Sequence, residues 1–270
     1  MKLRILTAAV LLLLLVGILF FAPTIVGAVV TGALAAVASY ELLYNTGMLR
    51  HVRLNVYSCV MAFGISMLSY FSWNYGIGVL AMLVYFMVVF VEVMLSHLTL
   101  HVKDAFLCFL SGIIIPFMIT SLVRILCMEE GRLLIAIPFV VAHMSDGGAY
   151  FIGVFFGKHK LCPEISPKKS VEGLVGGIVS AVLGMLIYGW VVNYFFQADM
   201  PYWVLALYGG IGAVASAFGD LCLSVIKRQT GIKDYGNLFP GHGGVLDRLD
   251  SVLVAAPLTE ALLLLIPMVN

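Results

Sequence analysis

Residues 77–96, IGVLAMLVYFMVVFVEVMLS, form a predominantly apolar run with one charged residue, Glu92. A helix needs about 20 such residues to cross the hydrocarbon core of a bilayer. The rest of the chain has the same character, because the sequence is 62% hydrophobic and only 11% charged. Soluble domains are roughly 25% charged. The composition therefore indicates an integral membrane protein.

Working outward from this run, the hydropathy pattern predicts about nine membrane-spanning helices. Their predicted limits are 5–21, 24–44, 56–72, 77–96, 105–126, 133–156, 173–195, 203–223 and 252–268. The expected fold is an all-α, polytopic integral membrane protein. We predict two regions: amino-terminal helices, 1–130, to which no motif assigns a role, and a catalytic region, 131–270, with long loops at 157–172 and 224–251.

The basic residues divide unevenly between the two sides of this predicted topology. One side receives Arg124 and Arg132, and the other receives the remaining thirteen of the 15 Lys and Arg residues: Lys2, Arg4, Arg50, Arg53, Lys103, Lys158, Lys160, Lys168, Lys169, Lys227, Arg228, Lys233 and Arg248. The positive-inside rule makes the richer side cytoplasmic. We therefore expect a protein of a bacterial-type cytoplasmic membrane, with both long loops facing the cytoplasm. Lys2 and Arg4 precede a first span that we interpret as retained, because no convincing small-x-small cleavage site follows it.

Net charge and cysteine content exclude two other kinds of site. The formal net charge is +1, which gives no global field that would favour nucleic acid. The five cysteines are odd in number and lack a CxxC spacing, so neither disulfides nor a zinc site is indicated.

The second long loop combines charge, glycine and proline in an otherwise apolar chain: residues 224–250 read SVIKRQTGIKDYGNLFPGHGGVLDRLD. Its four basic residues can neutralise phosphates, and its glycines allow backbone N–H groups to approach an anion. The basic residues are Lys227, Arg228, Lys233 and Arg248, and the glycines are Gly241, Gly243 and Gly244. Asp220, Asp247 and Asp250 offer hard oxygen ligands of the kind that bind Mg²⁺ together with substrate phosphates. The loop therefore predicts a site for a nucleotide and its metal.

Several other polar residues admit two interpretations. Asp146 lies inside a predicted span, where a charge costs at least about 2.5 kcal/mol, so we favour a functional role over a structural polar contact. Lys168 and Lys169 are either positive-inside anchors or phosphate contacts; the flanking Ser166-Pro167 and Glu172-Gly173 favour the second interpretation. Glu41, Glu92 and Glu260 also fall within spans, and the sequence does not separate helix–helix hydrogen bonding from a role in a cavity.

The run 224–250 matches, at every fixed position, the signature S-x2-K-R-x4-K-D-x-G-x2-[LF]-P-x-H-G-G-x2-D-R-x-D. A second block consists of Asp146-Gly-Gly-Ala-Tyr150, Gly157-Lys158, residues 165–170 (ISPKKS) and Glu172-Gly173. On these residues the chain resembles the phosphatidate cytidylyltransferase (CDP-diacylglycerol synthase) family over roughly residues 140–251. It departs from the family pattern at His143-Met144 and Val171, where aromatic residues are common, which affects local packing or lipid fit rather than chemistry.

The resemblance implies a Mg²⁺-dependent enzyme that condenses CTP with phosphatidic acid to give CDP-diacylglycerol and pyrophosphate. It leaves open a homodimer and a second, monovalent cation. The implied metal ligands are Asp220 and Asp247. The implied substrate-binding residues are Ser166, Lys168, Lys169, Ser224, Gly243 and Gly244. The implied catalytic residues are Asp146, Lys227, Arg228, Lys233, Asp234, His242, Arg248 and Asp250.

Two alternatives from the residues remain. A CTP-dependent lipid kinase resembling dolichol kinase would transfer the γ-phosphate to an alcohol and would need a base. A membrane anion transporter would also combine intramembrane acids with basic loops. We favour the cytidylyltransferase because the signature is complete and the phosphate-binding charge is concentrated in one loop, and we expect His242 to shape the loop or contact phosphate rather than act as a base.

Overall fold

The computed structural model describes residues 17–18, 21–47, 51–71, 75–96, 99–238 and 243–268. The first predicted span, 5–21, lies largely outside these residues. His242, together with Gly241, also lies outside them.

Helices dominate the part of the chain that the structure describes. In chain order they are α1 (Thr24–Tyr40), α2 (Val52–Tyr70), α3 (Tyr75–Leu95), α4 (Val102–Phe109), α5 (Ile115–Ile119), α6 (Ser121–Leu126), α7 (Gly131–Leu134), α8 (Ala136–Phe156), α9 (Val171–Phe196), α10 (Tyr202–Thr230), α11 (Leu246–Leu249) and α12 (Val252–Leu265). Two π-helical turns, Glu41–Asn45 and Leu110–Ile114, follow α1 and α4 directly.

Seven helical stretches among the described residues are long and apolar enough to cross a membrane: Thr24–Asn45, Val52–Tyr70, Gly76–Leu95, Val102–Leu126, Gly131–Phe156, Val171–Phe196 and Tyr202–Thr230. They correspond one to one with the second to eighth predicted spans, and the polytopic helical membrane fold is confirmed. The predicted number of nine is not confirmed. Helix α12 has 14 residues, which at 1.5 Å per residue gives about 21 Å, less than the roughly 30 Å of hydrocarbon.

The chain forms two compact units, and their limits differ from the two regions that the sequence suggested. The first unit contains residues 1–127 and 230–249, and the second contains residues 128–229 and 250–270. The signature run is therefore shared: its first residues end α10 in the second unit, whereas Lys233 and Asp247 belong to the first unit.

Small residues and buried hydroxyl groups bring the helices of the first unit together. Ser66 of α2 donates a 2.7 Å hydrogen bond to the carbonyl oxygen of Ala28 in α1. Tyr85 of α3 is buried, lies 2.8 Å from the hydroxyl of Ser58 and donates to the carbonyl oxygen of Cys108 at 2.8 Å. Such contacts suit helix packing in a bilayer, where burial of apolar surface alone does not drive association.

Glycines allow the helix backbones of the second unit to touch. A Cβ atom on Gly177 of α9 would lie 2.8 Å from the carbonyl oxygen of Ser145 in α8. A Cβ atom on Gly209 of α10 would lie 2.9 Å from the carbonyl oxygen of Ala181 in α9. Because a side chain at either position would force the helices apart, the close packing of α9 against α8 and α10 depends on these glycines.

The loop that we predicted between α8 and α9 is an antiparallel hairpin, formed by β1 (Lys160–Cys162) and β2 (Ser166–Ser170). The carboxylate of Glu172 fastens its start, accepting from the peptide N–H of Lys158 at 3.1 Å and lying 2.6 Å from Nδ1 of His159. Ser170 caps α9 by accepting from the N–H of Gly173 at 3.1 Å. The hairpin therefore holds Lys168 and Lys169 at fixed positions on β2.

Candidate active site

Three carboxylates of the second unit lie near one another, two of them well inside long helices. Asp146 projects from α8, Asp220 from α10, and Asp250 lies just before α12. Ser251 donates a 2.8 Å hydrogen bond to Oδ2 of Asp146, and Ser224 donates to Oδ1 of Asp220 at 3.2 Å. The sequence-predicted residues Asp146, Asp220, Ser224 and Asp250 thus form one polar cluster, to which the structure adds Ser251.

Burial and the nearby acids both act on the carboxyl group of Asp250. Burial, followed by the negative charge of Asp220, raises the pKa of Asp250 to about 7, and Lys227 opposes the rise. Asp250 is held close to α10, because a Cβ atom on Gly219 would lie 2.5 Å from its carbonyl oxygen. A site that crowds acids in this way favours a bound cation or a positively charged side chain.

The hairpin supplies such a side chain. Lys169 Nζ lies 2.5 Å from Oδ2 of Asp220, and the two side chains are 26% and 25% exposed. Lys168, the neighbouring residue, is exposed, whereas Ser166 is half-buried on β2. The structure therefore places Lys169, and not Lys168, against the acidic cluster.

Arg228 fastens the hairpin to the end of α10. Its Nε donates a 3.0 Å hydrogen bond to the carbonyl oxygen of Ile165. The side chain is exposed and Lys227 is half-buried. One predicted catalytic residue therefore also makes a structural contact with the hairpin.

The remainder of the signature run lies in the first unit and is organised around Asp247. This residue is 5% exposed, and its Oδ2 accepts from the peptide N–H of Tyr235 at 2.7 Å and of Gly244 at 3.0 Å. Gly243 has φ +85°, a conformation that residues with a side chain rarely adopt. Lys233, Asp234 and Arg248 are exposed. A buried aspartate thus fixes a loop whose charged side chains reach solvent.

Glu41 is a component of this loop that the sequence did not assign. It is 2% exposed and accepts from the peptide N–H groups of Val245 at 3.0 Å and Leu246 at 2.9 Å. The sequence did contain one signal, because an acid within a membrane span is energetically costly. Glu92 and Glu260 gave the same signal, so it did not single out Glu41. The partners of Glu41 are more than 200 residues away in sequence, and no sequence pattern connects them to it.

The predicted metal ligands belong to different units, Asp220 to the second and Asp247 to the first. Among the described residues, no group of three or more His, Cys, Asp and Glu side chains has the arrangement of a metal cage. Mg²⁺ is usually held by one or two carboxylates together with substrate phosphates and water. The donor chemistry of Asp220 and Asp247 fits that ion, and their joint role stays a prediction.

Comparison with known proteins gives matches along almost the whole chain. Residues 2–266 match the cytidylyltransferase family. The phosphatidate cytidylyltransferases of Staphylococcus haemolyticus (strain JCSC1435) and Staphylococcus epidermidis (strain ATCC 12228 / FDA PCI 1200) are each 34% identical over 268 residues, 98% of this chain and 99% of theirs. The protein of that name from Staphylococcus aureus (strain COL) is 34% identical over 271 residues, with the same coverage. The similarity therefore extends well beyond the signature and includes the amino-terminal helices.

Proposed function

Because the chain belongs to the cytidylyltransferase family, we propose that it is a phosphatidate cytidylyltransferase, which joins CTP and phosphatidic acid into CDP-diacylglycerol and pyrophosphate. The observation that carries the proposal is the near full-length similarity to proteins of that name. The seven long apolar helices support a lipid substrate, because the diacyl tails can remain in the bilayer while the headgroup reaches the polar loops.

The reaction needs a nucleophile but no activating base. A phosphomonoester has a second pKa of about 6, so the phosphate of phosphatidic acid is largely dianionic at neutral pH. One of its oxygens attacks the α-phosphorus of CTP, and the bond between the α-phosphorus and the bridging oxygen of pyrophosphate breaks. The obstacle is the mutual repulsion of two polyanions, so catalysis depends on positioning and on positive charge.

The chain has basic side chains suited to that task in both units. In the second unit, Lys169 lies beside Asp220, and Lys227 is close enough to lower the pKa of Asp250. In the first unit, the exposed Lys233 and Arg248 extend from the loop that Asp247 fixes. We assign them to the phosphates of CTP and of the lipid, with Lys168 as an outer contact.

The metal is assigned to Asp220 and Asp247. When bound, Mg²⁺ would neutralise the nucleotide phosphates and stabilise the leaving pyrophosphate. The chain's own contribution is to aim the carboxylates: Ser224 orients Asp220, and two peptide N–H groups orient Asp247. A second, monovalent cation and a homodimer remain predictions from the resemblance.

The active site is proposed to face the cytoplasm. The support is the predicted topology, in which thirteen of the 15 Lys and Arg residues lie on the side that carries the hairpin and the signature loop, residues 224–251. CTP is then available from solution on the same side.

The test uses the purified protein in lipid vesicles that contain phosphatidic acid, supplied with CTP labelled at either the α- or the γ-phosphate. Label that enters lipid from the α position, with release of pyrophosphate, is expected. Label from the γ position would instead identify a lipid kinase, and labelled lipid from neither position, in protein that still binds or moves anions, would identify a transporter.

A further inference from the structure

Glu41 is the most deeply buried acid among the described membrane-spanning helices of the first unit. It opens the π-helical turn that follows α1, and it is 2% exposed. Glu92 of α3 differs, because its side chain is 21% exposed and lies 3.6 Å from Arg53. A buried carboxylate is retained only where polar partners compensate for its lost hydration. The partners of Glu41 therefore indicate what it does.

Those partners are the first peptide groups of helix α11. Oε1 accepts from the N–H of Val245 at 3.0 Å, and Oε2 accepts from the N–H of Leu246 at 2.9 Å. The first N–H groups of any helix lack partners within the helix, and α11 has only four residues. Glu41 supplies the missing acceptors and so fixes where this short helix begins.

Two glycines of the signature lie directly against the same carboxylate. A Cβ atom on Gly236 would lie 2.5 Å from Oε1 of Glu41, and a Cβ atom on Gly244 would also collide with the carboxylate. Neither glycine has a positive φ, so a need for unusual backbone conformation does not explain why glycine occupies these positions. The closeness of the Glu41 carboxylate does explain it, because a Cβ atom would collide with the carboxylate.

Asp247 shares this segment of backbone. Its Oδ2 accepts from the N–H of Gly244, one residue before the first peptide group that Glu41 holds. Movement of Val245 and Leu246 would therefore move Asp247. We propose that Glu41 is a positioning residue of the active site, which sets the signature loop through Val245 and Leu246 and requires glycine at positions 236 and 244. This inference rests on the proposed function, because it assumes that Asp247 acts in the reaction.

The first test is Glu41→Gln, which keeps the size of the side chain but places an amide NH₂ group against one of the two N–H donors. We expect kcat/KM for CTP to fall roughly ten- to hundredfold, the factor for one lost charge-assisted hydrogen bond. The Mg²⁺ concentration for half-maximal rate should rise as well, because Asp247 is displaced. A merely structural residue would lower the yield of folded protein without changing kcat, KM or the Mg²⁺ response of the folded fraction. The matched control is Glu92→Gln, which should leave these parameters unchanged.

The second test enlarges the side chain at position 236 and shortens the one at position 41. Gly236→Ala alone should reduce kcat/KM because of the collision with Glu41, and Glu41→Asp, which shortens the side chain by one methylene, should restore part of that loss in the double variant. Losses that simply multiply would overturn the role of the carboxylate in selecting glycine. This outcome decides the matter even if Glu41→Gln fails to fold.

Asp247→Asn, assayed in parallel, distinguishes an error in the role of Glu41 from an error in the role of Asp247. If Asp247→Asn is inactive while Glu41→Gln behaves as the parent protein in rate and Mg²⁺ response, the positioning role of Glu41 is wrong and the proposed function stands. If Asp247→Asn retains full activity, the assignment of Asp247 itself fails.

Discussion

Removal of the Lys169 ammonium group is the sharpest probe of the acidic cluster. Lys169→Met keeps an unbranched side chain of similar length but leaves Asp220 without the cation that lies 2.5 Å from its Oδ2. Asp220 would then face Asp146 and Asp250 with one positive charge fewer. The proposed phosphate contact of Lys169 would also be lost.

The exposure of the pair sets the size of the effect. Both side chains are about one-quarter exposed, so the strength of this ion pair should lie between that of an exposed pair and that of a buried pair. Exposed ion pairs contribute about 0.2–1 kcal/mol, whereas removal of one partner of a buried pair costs about 3–5 kcal/mol. These figures describe folding stability, and an intermediate cost of about 1.5–3 kcal/mol is expected for this pair. For the rate, loss of one charge-assisted hydrogen bond from Lys169 to a substrate phosphate would remove a similar free energy, which corresponds to a roughly ten- to hundredfold fall in kcat/KM.

The assay is the initial rate of transfer from α-labelled CTP to phosphatidic acid in vesicles, with equal amounts of monodisperse protein. Lys160→Met is the matched control, because Lys160 lies on the same hairpin and is exposed; its rate should stay within about twofold of the parent protein. Equal rates for Lys169→Met and Lys160→Met would refute the assignment of Lys169 to the site.

Three further predictions follow from the site. Asp220→Asn and Asp247→Asn should each weaken turnover and Mg²⁺ dependence severely. The double variant should be little worse than either single variant, because the effects of residues that act as a unit are non-additive. Initial rates over a Mg²⁺ titration measure this, and losses that multiply in the double variant would show independent roles. His242→Asn should reduce activity without abolishing the chemical step, and an abolished step that an added external base restores would identify a general base instead. Cysteines introduced at Lys168 and Lys233 should be protected from an impermeant thiol reagent in intact cells; labelling from outside would reverse the topology.

The membrane fold was predictable, and a candidate site could be proposed, because both signals are local. Each long apolar run has the length of a bilayer core, and seven described helices follow predicted spans closely. The signature run is contiguous, so its basic and glycine-rich composition is visible in the sequence without knowledge of the fold. The hairpin was missed because strand pairing between Lys160 and Ser170 leaves no alternating pattern in such short strands.

Contacts between distant segments set the limit of sequence interpretation. The partners of Asp146 and Glu41 lie 105 and 204 residues away in sequence, at Ser251 and Val245. No periodicity links such positions, because their approach depends on how whole helices pack. Lys168 and Lys169 looked equivalent in the sequence, and only the pairing of β2 brings Lys169 to Asp220.

The sequence by itself determined that the chain is a polytopic membrane protein, and it predicted which loops carry phosphate chemistry and which residue types can serve there. Hydrophobic length and charge are properties of continuous segments, so they are fixed before the chain folds. Only the tertiary structure decided which acids share a cluster, that Glu41 holds the signature loop, and why Gly236 and Gly244 bear no side chain. Those facts depend on distances between atoms of separate segments, and packing alone sets such distances.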